Sequence, residues 1–177
     1  MKTAITIFLV TVSFFASAQT AKPAKISDFL KDKREPSLTE VFTDLAEFRD
    51  SLGLSGIVID STLNKAAQLQ ADWIAATGKL VHLQDKAALA GIPALKTPTD
   101  RGNRVGAKVA AENLYTGWKY LPASLVVDGW ADSPGHRLNM IRKPVNGQTL
   151  KVGLAIQKFA NDPNQIVIVL VIGESQQ

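Results

Sequence analysis

The sequence predicts an α+β fold, a three-layer α/β/α sandwich around a central mixed or antiparallel sheet. Helical patterns come first along the chain and strand patterns come last, which is typical of such layered architectures. Residues 166–172 are apolar at every position, as expected of a central strand covered by helices on both faces. The 177 residues, 46% hydrophobic and 20% charged, are enough for one globular domain with its own core.

The first half of the chain carries start and stop signals for two helices. Ser37 and Glu40 form a capping-box pattern, and apolar residues then recur at helical spacing, so a helix is expected over residues 38–51. Asp60 is a cap for a second helix that ends at Gly78. Its predicted buried stripe is rich in alanine and comprises Leu63, Ala66, Ala67, Gln70, Ala71 and Ile74. Such small side chains indicate a close approach to a neighbouring element.

The second half predicts a loop, further helices and the strands. Residues 85–106 contain several Gly and Pro residues, so loop with short helical turns is expected, one turn beginning at the cap signals of Thr97 to Asp100. The later elements are, in order, a strand over 108–115, a helix from Pro122 to about 132, a short helix from Ser133 to about 141, and strands over 149–159 and 166–172. The Ser133 hydroxyl is expected to cap its helix, with Pro134 at the first position.

The N-terminal residues are predicted to lie outside this fold. Lys2 precedes an uncharged apolar stretch, and the small residues at 16–18 match a secretory cleavage site, so residues 1–18 are expected to be a signal peptide cleaved after Ala18. Residues 19–36 are interpreted as a leader or tether and residues 37–177 as the domain. Gln19, rather than Cys, follows the cleavage site, which excludes a lipoprotein anchor. The mature protein is therefore expected to be secreted or periplasmic, with no transmembrane anchor.

Composition excludes several classes of site. The chain has no Cys, so disulfides, Cys-ligated zinc, iron–sulfur clusters and cysteine nucleophiles are ruled out. Two His residues are too few for chemistry that needs three imidazoles. Without residues 1–18, 19 basic side chains face 16 acidic ones, a net charge of +3. That net charge is compatible with contact to anionic polymers of the cell envelope, and it is far below the net charge typical of a nucleic-acid-binding protein.

Three polar residues are candidates for a functional site. His82 and His136 each lie at a helix boundary beside turn residues, where functional groups concentrate, although a lone His is often a structural one. Glu112 lies in a mostly apolar, strand-like run, where a buried carboxylate requires a partner. The sequence leaves open whether that partner is an imidazole, an Arg or a metal. The spacing matches no local ligand motif, so the fold has to bring the three residues together.

Other polar and aromatic residues have simpler interpretations. Ser133 lies three residues before His136, but a helix cap explains it better than a catalytic nucleophile does. Tyr115, Trp118 and Tyr120 are expected in a loop, either as a sugar or peptide platform or as packing over the sandwich edge. Arg101, Arg104 and Lys108 are expected on a solvated face.

Several motifs resemble one known family. They are Arg49 to Leu54, the helix start from Asp60 to Leu63, Leu80-Val81-His82, Ala111 to Leu114, and Trp130 to Arg137. In this order they resemble the CAP superfamily, also called the SCP domain, in its cysteine-free secreted bacterial branch. Arg101 and Gly106 match as well. The resemblance spans about Val41 to Gly173 and implies the α/β/α sandwich of that family.

The resemblance also implies a cleft lined by two His and acidic residues. It places His82, Glu112 and His136 in that cleft, with Asn113, Ser133 and Arg137 beside them as binding residues. Some members hold a divalent metal such as zinc through the imidazoles, here His82 and His136. Three features depart from animal and plant members: Ser133 falls near their second cleft Glu, no His follows His136, and the final strand lacks their Thr-Gln element.

Two functions follow, and a structural role is the third possibility. The favoured hypothesis is a secreted, non-enzymatic binding or interaction module whose cleft takes an extracellular or cell-envelope ligand, including a lipid-like one, with no cofactor required. The alternative is a metal-assisted hydrolase in which His82 and His136 hold the metal and Glu112 orients or deprotonates its water. In the structural reading, Glu112 pairs with a histidine only to satisfy a buried charge.

Overall fold

A computed structural model describes residues 33–54, 56–85, 95–144 and 149–176. The predicted signal peptide, residues 1–18, lies outside the described residues, as do most of the predicted leader over 19–36 and residues 86–94 of the predicted loop. The end of that leader contacts the domain, because Glu35 forms a 2.8 Å ion pair with Lys158 and Arg34 forms one of 2.6 Å with Glu40.

The described chain forms helices on both sides of one sheet. The helices are α1 (Leu38–Ser51), α2 (Ser61–Thr77), α3 (Pro98–Val105), α4 (Ala123–Asp132) and α5 (Pro134–Met140). The strands are β1 (Ile57–Ile59), β2 (Ala107–Trp118), β3 (Leu150–Lys158) and β4 (Gln165–Ser175). In the part of the chain that the structure describes, no helix is both long and apolar enough to cross a membrane.

The sheet is mixed and has the strand order β1-β3-β4-β2. β1 runs parallel to β3, whereas β4 is antiparallel to both β3 and β2. The sequence had not predicted β1, whose three residues are too few for a periodic signal. β2 lies at one edge, and a β-bulge between Val109 and Ala111 shifts its register. A bulge changes the direction of the side chains that follow it, and bulges are common beside functional sites.

The residues of β4 alternate between two hydrophobic cores. Ile166, Ile168, Leu170 and Ile172 pack in the core under α1, α4 and α5, and Val167, Val169 and Val171 pack in the core under α2. A strand buried on both faces needs a helical layer on each side. The three-layer α/β/α sandwich is thereby confirmed.

The predicted helix caps form as expected. Ser37 and Glu40 exchange capping-box hydrogen bonds at the start of α1, and Asp60 accepts from two backbone amides of α2. Gly78 ends α2 in the left-handed conformation, at φ 72°, which glycine adopts without a steric penalty. Thr97 begins α3 with a second capping box, formed with Asp100.

Two local predictions need correction. The Ser133 hydroxyl makes no capping hydrogen bond, although its residue does stand at the start of α5. β2 continues to Trp118, because its pairing with β4 extends to Gln165, so Tyr115 and Trp118 belong to a strand and not to a loop. Tyr115 packs against the core, while the Trp118 side chain is 65% exposed.

Candidate functional site

Glu112 is the centre of the candidate site. It lies in β2 on the sheet face covered by α2 and α3, and its side chain is 2% exposed. Oε1 lies 2.9 Å from Nδ1 of His82, and Oε2 accepts a 2.7 Å hydrogen bond from Nη2 of Arg101. A carboxylate only accepts hydrogen bonds, so the proton of a neutral His82 ring belongs on Nδ1 and the lone pair on Nε2.

Arg101 corrects the prediction of a solvated face. Its side chain is 1% exposed, and besides Glu112 it donates to the backbone carbonyls of His82, at 3.1 Å, and Leu95, at 3.0 Å. Its Nε is buried and has no hydrogen-bond partner among the residues that the structure describes. A buried carboxylate has to be paired, and the helix α3 provides the cation. Arg101 therefore neutralises Glu112 and ties the His82 segment to the same carboxylate.

A network of glutamines holds the chain that carries His82. Gln70, buried in α2, donates to the backbone carbonyl of Val81, at 2.6 Å, and accepts from Gln84, at 3.0 Å. Gln84 in turn accepts a hydrogen bond from the backbone amide of Leu95. The sequence analysis had placed Gln70 in the buried stripe of α2 without assigning it a partner. The network fixes residues on both sides of His82, whose ring remains 47% exposed.

Asn113 holds the second histidine from the opposite face of β2. Consecutive strand residues point to opposite faces of a sheet, so Asn113 faces α5. Its amide donates to the backbone carbonyl of His136 at 3.0 Å and its oxygen accepts from Asn139 at 2.8 Å. Asn139, which the sequence analysis missed, follows His136 by three residues and thus lies on the same face of the helix. Both polar ends of Asn113 are thereby used to fasten α5 to the sheet.

The His136 ring is held only through its backbone. In the described residues no hydrogen-bond partner is found for its ring nitrogens. Partial burial lowers the pKa of His136 below its ordinary value, and the charge of a protonated His82 lowers it further. The second cause requires the two side chains to be close enough to interact electrostatically. The neutral form of His136 is therefore favoured, and a site shared by the two imidazoles stays a prediction.

The two histidines are attached to opposite faces of the edge strand β2. His82 contacts Glu112 on one face, and the backbone of His136 contacts Asn113 on the other. Exposed Val81 and Leu83 flank His82 in sequence, and exposed Leu138 follows His136 by two residues, on another side of α5. Of the other predicted binding residues, Arg137 lies over the Phe48 ring, 5.3 Å from its centroid, and Ser133 is half-buried beside the start of α5.

The donor set does not fit a zinc centre. Both oxygens of Glu112 are engaged by His82 and Arg101, which leaves two imidazoles. Among the described residues, no group of three or more His, Asp and Glu side chains is arranged to hold a metal ion, whereas catalytic zinc uses three protein ligands. Metal ligation by His82 and His136 stays a prediction that a zinc titration can test.

Comparisons with known proteins agree with this fold. A sequence model of the CAP family, described as the cysteine-rich secretory protein family, matches residues 42–172. No curated protein sequence matches the chain significantly.

Solved structures that resemble this chain come from bacteria. An outer surface protein from Borrelia burgdorferi is 22% identical with a TM-score of 0.60, over 84% of this chain and 94% of that one. The CAP domain of enterococcal PrgA is 18% identical with a TM-score of 0.55, over 85% of this chain and 74% of that one. An extracellular SCP-domain protein from Bacillus anthracis is 15% identical with a TM-score of 0.52, over 85% of this chain but 45% of that one. At these identities the similarity shows the fold alone.

Proposed function

Because the chain belongs to the CAP family, whose sequence model matches residues 42–172, we propose that it is an exported binding module without catalytic activity. The ligand site of this proposal is the outer edge of β2, called here the histidine groove, where His82 and His136 would face the ligand and the buried Glu112 holds the His82 ring. The observation that carries this proposal is the burial and pairing of Glu112. Its side chain is 2% exposed, and its two oxygens are bonded to His82 and to the buried Arg101, so it is out of reach of a substrate proton, which a general base has to contact.

The surroundings of the groove favour an apolar ligand with a hydrogen-bonding group. Val81 and Leu83, which flank His82 in sequence, are 45% and 53% exposed. Exposed apolar side chains grouped around a few oriented polar groups are typical of ligand sites. Nε2 of His82 and the ring of His136 would supply the polar contacts, and the apolar side chains would cover the rest of the ligand.

The proposed location is outside the cytoplasm. Residues 1–18 have the pattern of a secretory signal peptide, and the similar proteins from Borrelia burgdorferi and Bacillus anthracis are described as an outer surface protein and an extracellular protein. The ligand is accordingly an extracellular or cell-envelope molecule. Detection of the mature N-terminus at Gln19 in the exported protein would test the cleavage site.

Binding of Nile Red, a neutral dye that fluoresces in apolar surroundings, tests the groove. The wild-type protein is expected to bind the dye, and Leu83→Ser is expected to weaken binding by about fivefold or more, because it removes apolar contact area beside His82. Leu125→Ser is the control, since Leu125 is another exposed leucine, at 44%, and lies on α4. Absence of dye binding, or equal losses in the two variants, would refute the apolar groove.

The hydrolase alternative predicts a different set of results. It requires zinc uptake that is lost in both His82→Ala and His136→Ala, together with turnover of an ester such as p-nitrophenyl acetate. Our proposal predicts neither. Isothermal titration calorimetry with zinc and an esterase assay on the same samples would decide between the two. Zinc-dependent turnover that disappears in both variants would overturn the non-enzymatic assignment.

A further inference from the structure

A cavity lies at one end of the sheet, and its lining contains neither histidine. Its volume is about 430 Å³, within the usual range for small-molecule sites. It is bounded by the start of β2, the start of β3, the end of β4 and residues 142–144. Its apolar wall includes Ala110, Leu150 and Ile172. Lys108, also in its lining, precedes Glu112 by four strand residues, which corresponds to about 13 Å along β2.

Four cationic side chains surround this cavity. They are Lys108, Arg142, Lys143 and Lys151, and the lining contains one carboxylate, that of Glu174. Lys151 is partly neutralised, because its Nζ lies 3.6 Å from Asp60 and donates to the Ser175 hydroxyl at 3.1 Å. Within the described ranges, no carboxylate lies at ion-pair distance from any of the other three cations.

This arrangement favours an anionic ligand. Cationic side chains grouped around one cavity raise the positive potential there, which attracts an anion. The net charge of the whole chain is +4, so overall composition does not explain why four cations surround one cavity. An anion bound among the four side chains would gain charge-assisted hydrogen bonds, particularly from Arg142. The apolar wall beside the cations adds a place for a hydrocarbon part of the same ligand.

We propose that this cavity binds an organic phosphate with an apolar body, the phosphate among Lys108, Arg142 and Lys143 and the body against Leu150 and Ile172. This inference is independent of the function proposed for the histidine groove. The same chemistry is presented by a soluble alkyl phosphate and by the headgroup of an anionic phospholipid. The experiment described below distinguishes these two sources of phosphate.

Calorimetric titration of the full protein with hexyl phosphate tests the site. Hexyl phosphate is expected to bind more tightly than either inorganic phosphate or hexanol, because only hexyl phosphate uses both the cations and the apolar wall. The double variant Lys108→Gln/Lys143→Gln is expected to bind about tenfold more weakly or worse. Rising ionic strength is expected to weaken wild-type binding as well.

The control keeps the same change in net charge. Lys65→Gln/Arg104→Gln removes two exposed cations, on α2 and α3, outside the cavity lining, and is expected to bind hexyl phosphate within about twofold of the wild type. His82→Ala is also expected to leave this binding unchanged, whereas Lys108→Gln/Lys143→Gln is expected to leave Nile Red binding unchanged. Failure of one site is therefore distinguishable from failure of the other.

Vesicles separate the two sources of phosphate. Cosedimentation with phosphatidylglycerol vesicles, reduced by Lys108→Gln/Lys143→Gln and by competing hexyl phosphate, would assign the site to a lipid headgroup. Binding of hexyl phosphate without cosedimentation would assign it to a soluble phosphate ester. The proposal is overturned if hexyl phosphate does not bind, if inorganic phosphate or hexanol binds equally well, or if the cavity and control variants lose the same affinity.

Discussion

The two faces of the sheet are packed in different ways, and each holds one of the two histidines. The face under α2 and α3 is close-packed and alanine-rich, with Gly153 of β3 against α2, and it encloses the charged pair of Glu112 and Arg101. The face under α1, α4 and α5 has a core of large side chains such as Trp130, and its hydrogen bonds with β2, through the Asn113 amide and the Trp130 indole, are neutral.

The difference shows how burial determines the kind of polar contact that is tolerated. Glu112 loses its hydration on the close-packed face, so it requires both an imidazole and a guanidinium. Asn113 is neutral and needs only hydrogen bonds. As a result, the ring of His82 is fixed by a charged network, whereas the ring of His136 is positioned by its backbone. Substitutions on the two faces should therefore have effects of different size.

The largest effect is expected from Arg101→Ala, which removes the buried cation and leaves Glu112 with His82 alone as its partner. Breaking a buried ion pair in this way costs about 3–5 kcal/mol, so the free energy of unfolding in urea should fall by that amount. Arg104→Ala is the control, because Arg104 lies on the same helix and is exposed. It should change stability by less than about 0.5 kcal/mol. Equal effects of the two variants would show that the charged face does not depend on this pair.

Gly153→Ala should have the next largest effect. A Cβ at Gly153 would clash with the carbonyl group of Leu63, which is backbone and cannot rotate away. We expect a loss of about 3 kcal/mol, at the upper end for overpacking, measured by urea unfolding. On the other face, a Cβ at Gly129 would meet only the Tyr115 ring, at 3.0 Å, and would raise helix propensity. Gly129→Ala should therefore stay within about 1 kcal/mol of the wild type. A small loss of unfolding free energy in Gly153→Ala would mean that α2 is free to move away from the sheet.

Asn113→Ala should cost less than the loss of Arg101, because no charge is left unpaired. The two hydrogen bonds that fasten α5 would be lost, for an expected decrease in unfolding free energy of about 2 kcal/mol. Asn103→Ala, at an exposed position of α3, should change it by less than about 0.5 kcal/mol. If Asn113→Ala destabilised the protein as much as Arg101→Ala, the proposed contrast between charged and neutral contacts would be wrong.

The smallest expected effect is on the titration of His136. Its folded-state pKa lies below 6.5, so the unfolded state binds more protons between the two values. Unfolding free energy should therefore rise with pH across that window and level off above it. With only two histidines in the chain, NMR can follow both rings. His82→Gln should raise the pKa of His136 without restoring it fully, because burial is the larger cause. An unchanged pKa in His82→Gln would show that the two rings do not interact.

Much of the fold could be predicted because its signals are local. The capping box of Ser37 and Glu40 and the Asp60 cap act within a single helical turn, and the apolar run of β4 indicates a central strand wherever the neighbouring strands lie. β1 was missed because three residues carry no period. The sequence pattern predicted that the Ser133 hydroxyl caps α5, but it does not make this hydrogen bond. The prediction was wrong because a sequence pattern does not specify which way a hydroxyl points.

The sequence by itself determined the order and type of most elements, the three-layer architecture, and the three residues of the candidate site. Only the tertiary structure decided that Arg101, expected in solvent, is buried against Glu112, and that Glu112 and Asn113 hold different histidines from opposite faces of β2. The reason is physical: caps and periodicity act between residues a few positions apart, whereas His82 and Glu112 are 30 positions apart. Their contact exists only after the layers have packed on the sheet.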